Sequence, residues 1–471
     1  MSKKMIIIGA GIAGLSAGCY SLINGYETEI FEMHTIPGGL CTSWKRQGYT
    51  FDGCIDFLLG TNPGSMLYRL WDTVGGTNVK GFIHHDFYLQ IEAANGKKLT
   101  LYSDADQLEK HMLELSPADS ELIKELTDAI RYFSLVGNNH SNNRSSRLRT
   151  ISMQEFAGEF KDPFLREALS NFEDLPFFLI IMSSYNKKDA GWPVGGSLAF
   201  ARAIEQRFLD LGGQIRYKAK VEEILVKDGQ ANGVRLADGS LHQADLVISA
   251  ADGHATLFQM LNGQYNDDEI TALYTYGKTY PTSVQVSLGV AYDLSDQPHH
   301  LLIQLNTPVE IAGRQKSKFL LRHYCSDKSL APAGKSIVTT LLTSDYEYWQ
   351  ALYADPALYK AAKEKIASEF IRVFEERFPE ARGKVEVVDV ATPLTYTRYS
   401  DAWKGAYMGW LSTPEQPIFS IPARLPGLKG FHMTGQWTNP RGGLPNALVT
   451  ARRSIMQICQ EDGKEFLERA A

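Results

Sequence analysis

The sequence predicts an α/β protein in which a nucleotide-binding unit, built on a buried parallel sheet, is interleaved with an α+β unit carrying a mixed or antiparallel sheet. Three observations predict it. A glycine-rich turn stands between a continuous apolar run and a helix-forming stretch in residues 4–32. A second region of similar character spans about 193–252. The segments between and after these two differ in pattern, helical in one place and strand-like in the next.

In chain order, KMIIIG (4–9) is apolar throughout, as a strand covered on both faces is. AGLSAGCYSLIN (13–24) is small and apolar enough to pack as a helix, and Gly25 ends it. YETEIFE (26–32) is the second strand. Residues 86–190 are more helical, with GNNHSNNRSSR (137–147) as a polar loop. LPFFLIIM (175–182) reads as a buried helix or strand; the alternative is a lip touching a membrane or a substrate entrance. In 199–213, Phe200, Ile204, Phe208 and Leu211 recur at helical spacing before Gly212 and Gly213. Asp228-Gly229 and Asp238-Gly239 mark hairpin turns, and ADLVISA (244–250) is another buried strand. Strands such as SVQVSLGVAYD and KSIVTTLLTSD follow in 276–395, with a long helix from the Asp355-Pro356 cap to about Phe378. This alternation implies two discontinuous units: residues 1–85, 191–275 and 396–471, which hold the glycine-rich turn, and residues 86–190 with 276–395.

Of the 471 residues, 44% are hydrophobic and 22% charged, as in ordinary globular proteins. A net charge of −6 argues against a nucleic-acid partner. Cys19, Cys41, Cys54, Cys325 and Cys459 are scattered and contain no C-x-x-C, the pattern of reduced thiols in a cytosol. No stretch of eighteen apolar residues exists, so a cytoplasmic protein is expected, with peripheral membrane contact at most. The adjacent pairs His84-His85 and His299-His300 offer no clean chelating face, and no metal is expected. Arg144, Arg147 and Arg149 read as a solvated loop or, alternatively, a touch on anionic lipid heads.

Gly9-Ala10-Gly11-Ile12-Ala13-Gly14 is G-x-G-x-x-G in its required setting, after a strand and opening a helix. The first glycine permits the turn, the second lets pyrophosphate approach, and the third lets helix pack on strand. Glu32, 21 residues after Gly11, ends the second strand, where a carboxylate accepts hydrogen bonds from a ribose and disfavours a 2′-phosphate. A Rossmann-type dinucleotide site follows; the motif alone does not separate NAD from FAD.

The residues beyond it do. Glu32-x5-Gly38-Gly39 followed by GYTFDGC (48–54) resembles the FAD-dependent superfamily of phytoene desaturases, carotenoid isomerases, retinol saturases and amine oxidases. WPVGGSLAFARAIEQRFLDLGGQIRYKAKVEEI resembles its second FAD-contacting segment, and LKGFHMTGQWTNPRGGLPNALVTARRSI its C-terminal flavin motif. The resemblance implies FAD held by Gly9, Gly11, Ile12, Ala13, Gly14, Glu32, Met33, Gly38, Gly39, Leu40, Val221, Gly435, Gln436, Gly443, Leu444 and Ala447. It brings both ends of the chain to one cofactor, with the helix from Leu444-Pro445 aimed at the flavin N1/C2 edge. Pro440-Arg441-Gly442-Gly443 stands where the family often has three glycines, and Gln436-Trp437 also departs from its pattern.

The implied activity is hydride transfer between flavin N5 and an apolar polyene or isoprenoid, as desaturation, saturation or isomerisation. Asp52, Asp56, Trp437 and Arg441 are the candidates near the flavin, each with a structural role as the alternative. No second G-x-G-x-x-G exists for a resident NAD(P), so electrons are expected to move through a diffusible partner: quinone, dioxygen or NAD(P)H. The aromatics of 395–410 read as ordinary core, as a substrate tunnel or as an amine cage; an amine oxidase with that cage, and a carrier resembling GDP-dissociation inhibitors, are the other readings.

Overall fold

The computed structural model describes residues 2–136, 147–172, 174–411, 421–439 and 442–470. Five parallel strands form one sheet, in the order Gln214–Arg216, Glu27–Phe31, Lys4–Ile8, Leu246–Ser249 and Phe431–Met433. The unbroken apolar run of the first strand now has its reason. Met5 and Ile7 enter the core on one face, while Ile6 and Ile8 enter the core on the other.

Helix Ile12–Ile23 covers the first face, beside helix Gly196–Asp210 and the C-terminal helix Leu444–Glu461. Small residues set this close packing: a Cβ at Gly18 would come within 2.6 Å of the Phe208 ring. The opposite face carries a three-stranded meander of Val221–Lys227, Gln230–Leu236 and Leu241–Gln243. Its first turn is the expected Asp228-Gly229, with φ of 51° and 72°, which suits a two-residue hairpin.

The second sheet has seven strands, in the order Val385–Ala391, Ser283–Val290, Ser336–Thr343, Arg314–His323, His300–Ile311, Phe87–Glu92 and Lys98–Tyr102. It is mixed: His300–Ile311 runs parallel to Phe87–Glu92, and the other pairs are antiparallel. Strand Ser283–Val290 is buried along its whole length. The Phe370 and Phe374 side of helix Pro356–Arg377 shares a core with Val286, Leu288 and Val290. On the other side the Tyr49 ring lies against Gly289, where a Cβ would meet it at 2.8 Å.

Five helices from Ala105 to Asn186 enclose a separate core against this sheet. LPFFLIIM begins the last of them, Leu175–Asn186, capped by Asp174, whose carboxylate accepts the Phe177 N–H at 2.9 Å. Leu175, Phe178, Leu179, Ile181 and Met182 are buried, and Phe177 is 46% exposed. The segment is therefore a core helix, with Phe177 exposed and Pro176 and Ile180 half-buried. Replacing Phe178 by Asp should cost several kcal/mol of stability, the ordinary scale for losing a buried aromatic ring. Replacing Phe177 by Asp should leave the thermal midpoint nearly unchanged. Differential scanning calorimetry of the two variants distinguishes them.

Candidate active site

The first glycine turn closes tightly on itself. Gly9 has φ 96°, and a Cβ on Gly14 would overlap the Gly9 carbonyl oxygen. Gly11 differs: a Cβ there would find only the Gly38 carbonyl oxygen, at 3.9 Å. The helix it opens has no side-chain cap, so its first-turn amides face outward without one. Gly38-Gly39 runs alongside, held by the Gly38 N–H donating to the Ala10 carbonyl at 2.8 Å. Such an uncapped helix end beside open backbone fits a pyrophosphate.

Glu32 lies at the neighbouring strand end, its carboxylate accepting the Ala10 N–H at 2.6 Å and the His34 N–H at 2.7 Å. Burial pushes its carboxyl up, against the lowering effect of those amides. The Ala219 N–H donates to the Glu32 carbonyl, which brings the segment leading to Val221 beside Glu32 and Met33. Val221 itself is buried, and Leu40 is half-buried.

The C-terminal glycine segment joins the same place from four hundred residues away. Strand Phe431–Met433 pairs with Leu246–Ser249, and the Thr434 N–H donates to the Ser249 carbonyl. Gly435 then passes over the first helix, where a Cβ would touch the Ala13 Cβ at 3.5 Å. Gly443, exposed and at φ 84°, opens the helix Leu444–Glu461, again without a side-chain cap. Leu444 and Ala447 are half-buried on its first turn. Gly409 packs on the Gln436 backbone, and Gly442 lies against Met408 and Gly409. Tyr407 is thereby placed at this loop, and burial raises the Tyr396 phenol, with Tyr407 and Cys54 near enough to add to it. Two uncapped helix ends and three glycine segments are thus gathered near the ends of the parallel strands, an arrangement that fits an extended dinucleotide such as FAD.

The catalytic candidates separate clearly. Asp52 is saturated: it accepts from Ser197 N and Oγ, both at 2.6 Å, from Ser43 Oγ at 2.8 Å and from Cys54 N at 3.2 Å. Its carbonyl accepts from Gln285 Nε2 at 2.7 Å, which ties the seven-stranded sheet to the glycine unit. Trp437 is buried among Tyr274, Trp403 and Trp410, in an aromatic core at the ends of the parallel strands. Trp403 and Trp410, read from the sequence as cage or core, are core. Asp56 pairs with Arg322 and keeps a 43% accessible side chain. Arg441 lies outside the described residues.

Sequence reasoning missed Arg322, Tyr88, Tyr185 and the Ser197 tether. Arg322, Ser197 and Tyr185 reach Asp56, Asp52 and Phe57 across more than a hundred residues of chain, Tyr88 packs on both Phe57 and Tyr185, and no local pattern marks these meetings. His85 and His299, from the two histidine pairs, stack at 3.7 Å.

A family model described as flavin containing amine oxidoreductase matches residues 12–458. A prolycopene isomerase of Arabidopsis thaliana is 23% identical over 98% of this chain and 84% of its own. The lycopene-forming phytoene desaturase of Pseudescherichia vulneris is 25% identical over 98% of this chain and 99% of its own. The solved structure of an oxidoreductase from Methanosarcina mazei shares the fold, with a TM-score of 0.61 and 18% identity over 96% of this chain and all of that one.

Gly11 keeps φ at −69°, so Gly11→Val should fold normally yet block the pyrophosphate. FAD affinity should fall about a hundredfold, the loss of one or two charge-assisted hydrogen bonds. Gly14→Val should lose both fold and cofactor. Isothermal titration with FAD and thermal melts of the apoproteins check the pair.

Proposed function

Since the chain belongs to the family of flavin containing amine oxidoreductases and is an FAD-dependent oxidoreductase, we propose that it transfers hydride between flavin N5 and an apolar polyene or isoprenoid. The observation that carries this reading is similarity over nearly the whole chain to a prolycopene isomerase and a phytoene desaturase. Bound FAD supplies the hydride chemistry, while the protein positions substrate and excludes water.

Gly11, Ile12, Ala13 and Gly14, with Gly9 for the turn, hold the pyrophosphate on helix-end amides. Glu32, Met33 and Val221 border the adenosine end, and Gly38, Gly39 and Leu40 the ribityl region. Gly435, Gln436, Gly443, Leu444 and Ala447 border the isoalloxazine, where the positive helix end favours charge on a reduced ring. Residues 1–85, 191–275 and 396–471 form the FAD-binding unit; 86–190 and 276–395 form the substrate unit. Asp52 joins the two and takes no part in proton transfer, since its oxygens are already occupied.

Electrons enter or leave through a diffusible partner, a quinone, dioxygen or NAD(P)H. A polyene resides in lipid, and Phe177, exposed on the helical cap as Leu135 also is, suits a peripheral contact. Among the described residues no helix is long and apolar enough to cross a membrane.

The test is a visible spectrum of the purified protein, recorded before and after anaerobic NADPH, followed by incubation with prolycopene and phytoene in liposomes. A flavin spectrum and chromatographic conversion of either polyene are expected. A colourless protein that takes up no added FAD would overturn the reading and favour a carrier.

A further inference from the structure

The short hairpin after the Gly38-Gly39 segment ends on two cysteines. Its strands, Ser43–Arg46 and Tyr49–Asp52, are antiparallel and joined by Gln47-Gly48, with φ of 46° and 87°. Arg46 stands opposite Tyr49, Lys45 opposite Thr50, Trp44 opposite Phe51 and Ser43 opposite Asp52. One step further, the Gly53 N–H donates to the Thr42 carbonyl at 3.0 Å, so the register carries on past the strand ends. The next position sets Cys41 opposite Cys54. Twelve residues separate the two in sequence, and no C-x-x-C spacing announces them.

Hydrogen-bonded and open pairs alternate along an antiparallel ladder, and side chains alternate between its faces. Thr42 and Gly53 share a ladder bond, so Cys41 and Cys54 take an open position. They share the face on which Ser43 Oγ donates to Asp52 Oδ2 at 2.8 Å. Open pairs stand about 4.5 Å apart at Cα, inside the range of about 4.4–6.8 Å that a disulfide spans. The two thiols differ in surroundings. Cys41 is buried, and its Sγ donates to the Ser197 carbonyl at 3.5 Å. Cys54 is exposed, whereas the other four cysteines are buried. Burial pushes the Cys41 thiol up, and the Cys54 side chain beside it adds to the rise.

We propose that Cys41 and Cys54 are a dithiol–disulfide pair, in which Cys54 exchanges with small-molecule disulfides and Cys41 resolves the adduct. The Cys54 thiol gives its proton to water, and its sulfur attacks one sulfur of the small disulfide. That S–S bond breaks, one small thiol leaves with a proton from water, and a mixed disulfide remains on Cys54. Cys41 then loses its proton to water, attacks the Cys54 sulfur and releases the second small thiol, which takes up a proton. Two protein thiols are thereby oxidised by two electrons, while one small disulfide is reduced to two thiols. A small dithiol drives the reverse. Buried and protonated, Cys41 leaves the first attack to Cys54 and acts when a disulfide sulfur is delivered opposite it.

The pair stands between the cofactor cleft and the join of the two sheets. The Cys41 N–H donates to the Gly38 carbonyl at 2.9 Å, and Gly38 lies beside Gly11 of the first glycine turn. The Cys54 N–H donates to Asp52 Oδ1 at 3.2 Å. In the oxidised chain the bridge ties the Gly38-Gly39 segment covalently to the end of the hairpin. Exchangeable bridges of this kind are the usual form of disulfides in reducing compartments.

The experiment incubates the flavin-loaded full chain with oxidised glutathione, quenches it with N-ethylmaleimide in denaturant, and reads intact mass and peptide maps. The expected product has three alkylated thiols rather than five, no retained glutathione and a cross-linked Cys41–Cys54 peptide. It should form at least about tenfold faster in the folded chain than in urea, because the register already sets the two side chains face to face. Dithiothreitol should then restore all five thiols. Cys41→Ser should instead accumulate glutathione on Cys54, and Cys54→Ser should acquire neither glutathione nor a bridge, each at a native thermal midpoint. A native chain that stays reduced, one that keeps glutathione on Cys54 without a bridge, or a bridge that forms only in urea would overturn the proposal.

Discussion

Everything in this fold depends on backbone segments approaching one another where side chains would keep them apart. The turn Gly9–Gly14 leaves no room for a Cβ at its last glycine, because the helix starts against the turn's own carbonyl. Gly38 adds a second backbone at hydrogen-bond distance, and Gly435 lays a third across Ala13. Each contact is short, and none involves a charged side chain. Together they bring residues 9, 38 and 435 to one opening and leave two helix ends uncapped there. A positive, amide-lined cleft follows from that geometry, with an extended anionic dinucleotide as its complement.

The second dependence is Asp52. Four donors converge on a buried carboxylate whose carbonyl in turn takes Gln285 from the other sheet. Losing any one partner would strand the others in a low-dielectric interior. The strand Tyr49–Asp52 therefore pins the two sheets together, with Tyr49 seated on Gly289. Two residues further on Cys54 is exposed, and four residues on Asp56 is half-exposed and held by Arg322.

Local features were legible in the sequence. The apolar run of the first strand, the stop at Gly25, the Asp228-Gly229 turn and the Asp355-Pro356 helix start are short-range matters of sterics and capping, and each appears where its residues require. The similarity of both glycine segments to one family also foretold that the chain ends meet. LPFFLIIM was ambiguous because a short apolar run looks alike on a core helix and on a membrane lip; its burial is decided by helices elsewhere in the chain. Asp52 and Asp56 looked equivalent for a related reason. One meets Ser197 and the other Arg322, 145 and 266 residues away, and no periodicity encodes such meetings. Trp437 was drawn toward the flavin by sequence adjacency to Gly435, but its ring turns into the aromatic core.

The most direct test of the account is a crystal structure of the protein loaded with FAD. The pyrophosphate should lie on Gly11 and the first helix, and the isoalloxazine should lie between the Gly435–Leu444 segment and the wall of Cys54, Tyr396 and Tyr407. Density for the ring in any other place, or a cofactor contacting only the N-terminal loop, would contradict the convergence of both chain ends on one flavin.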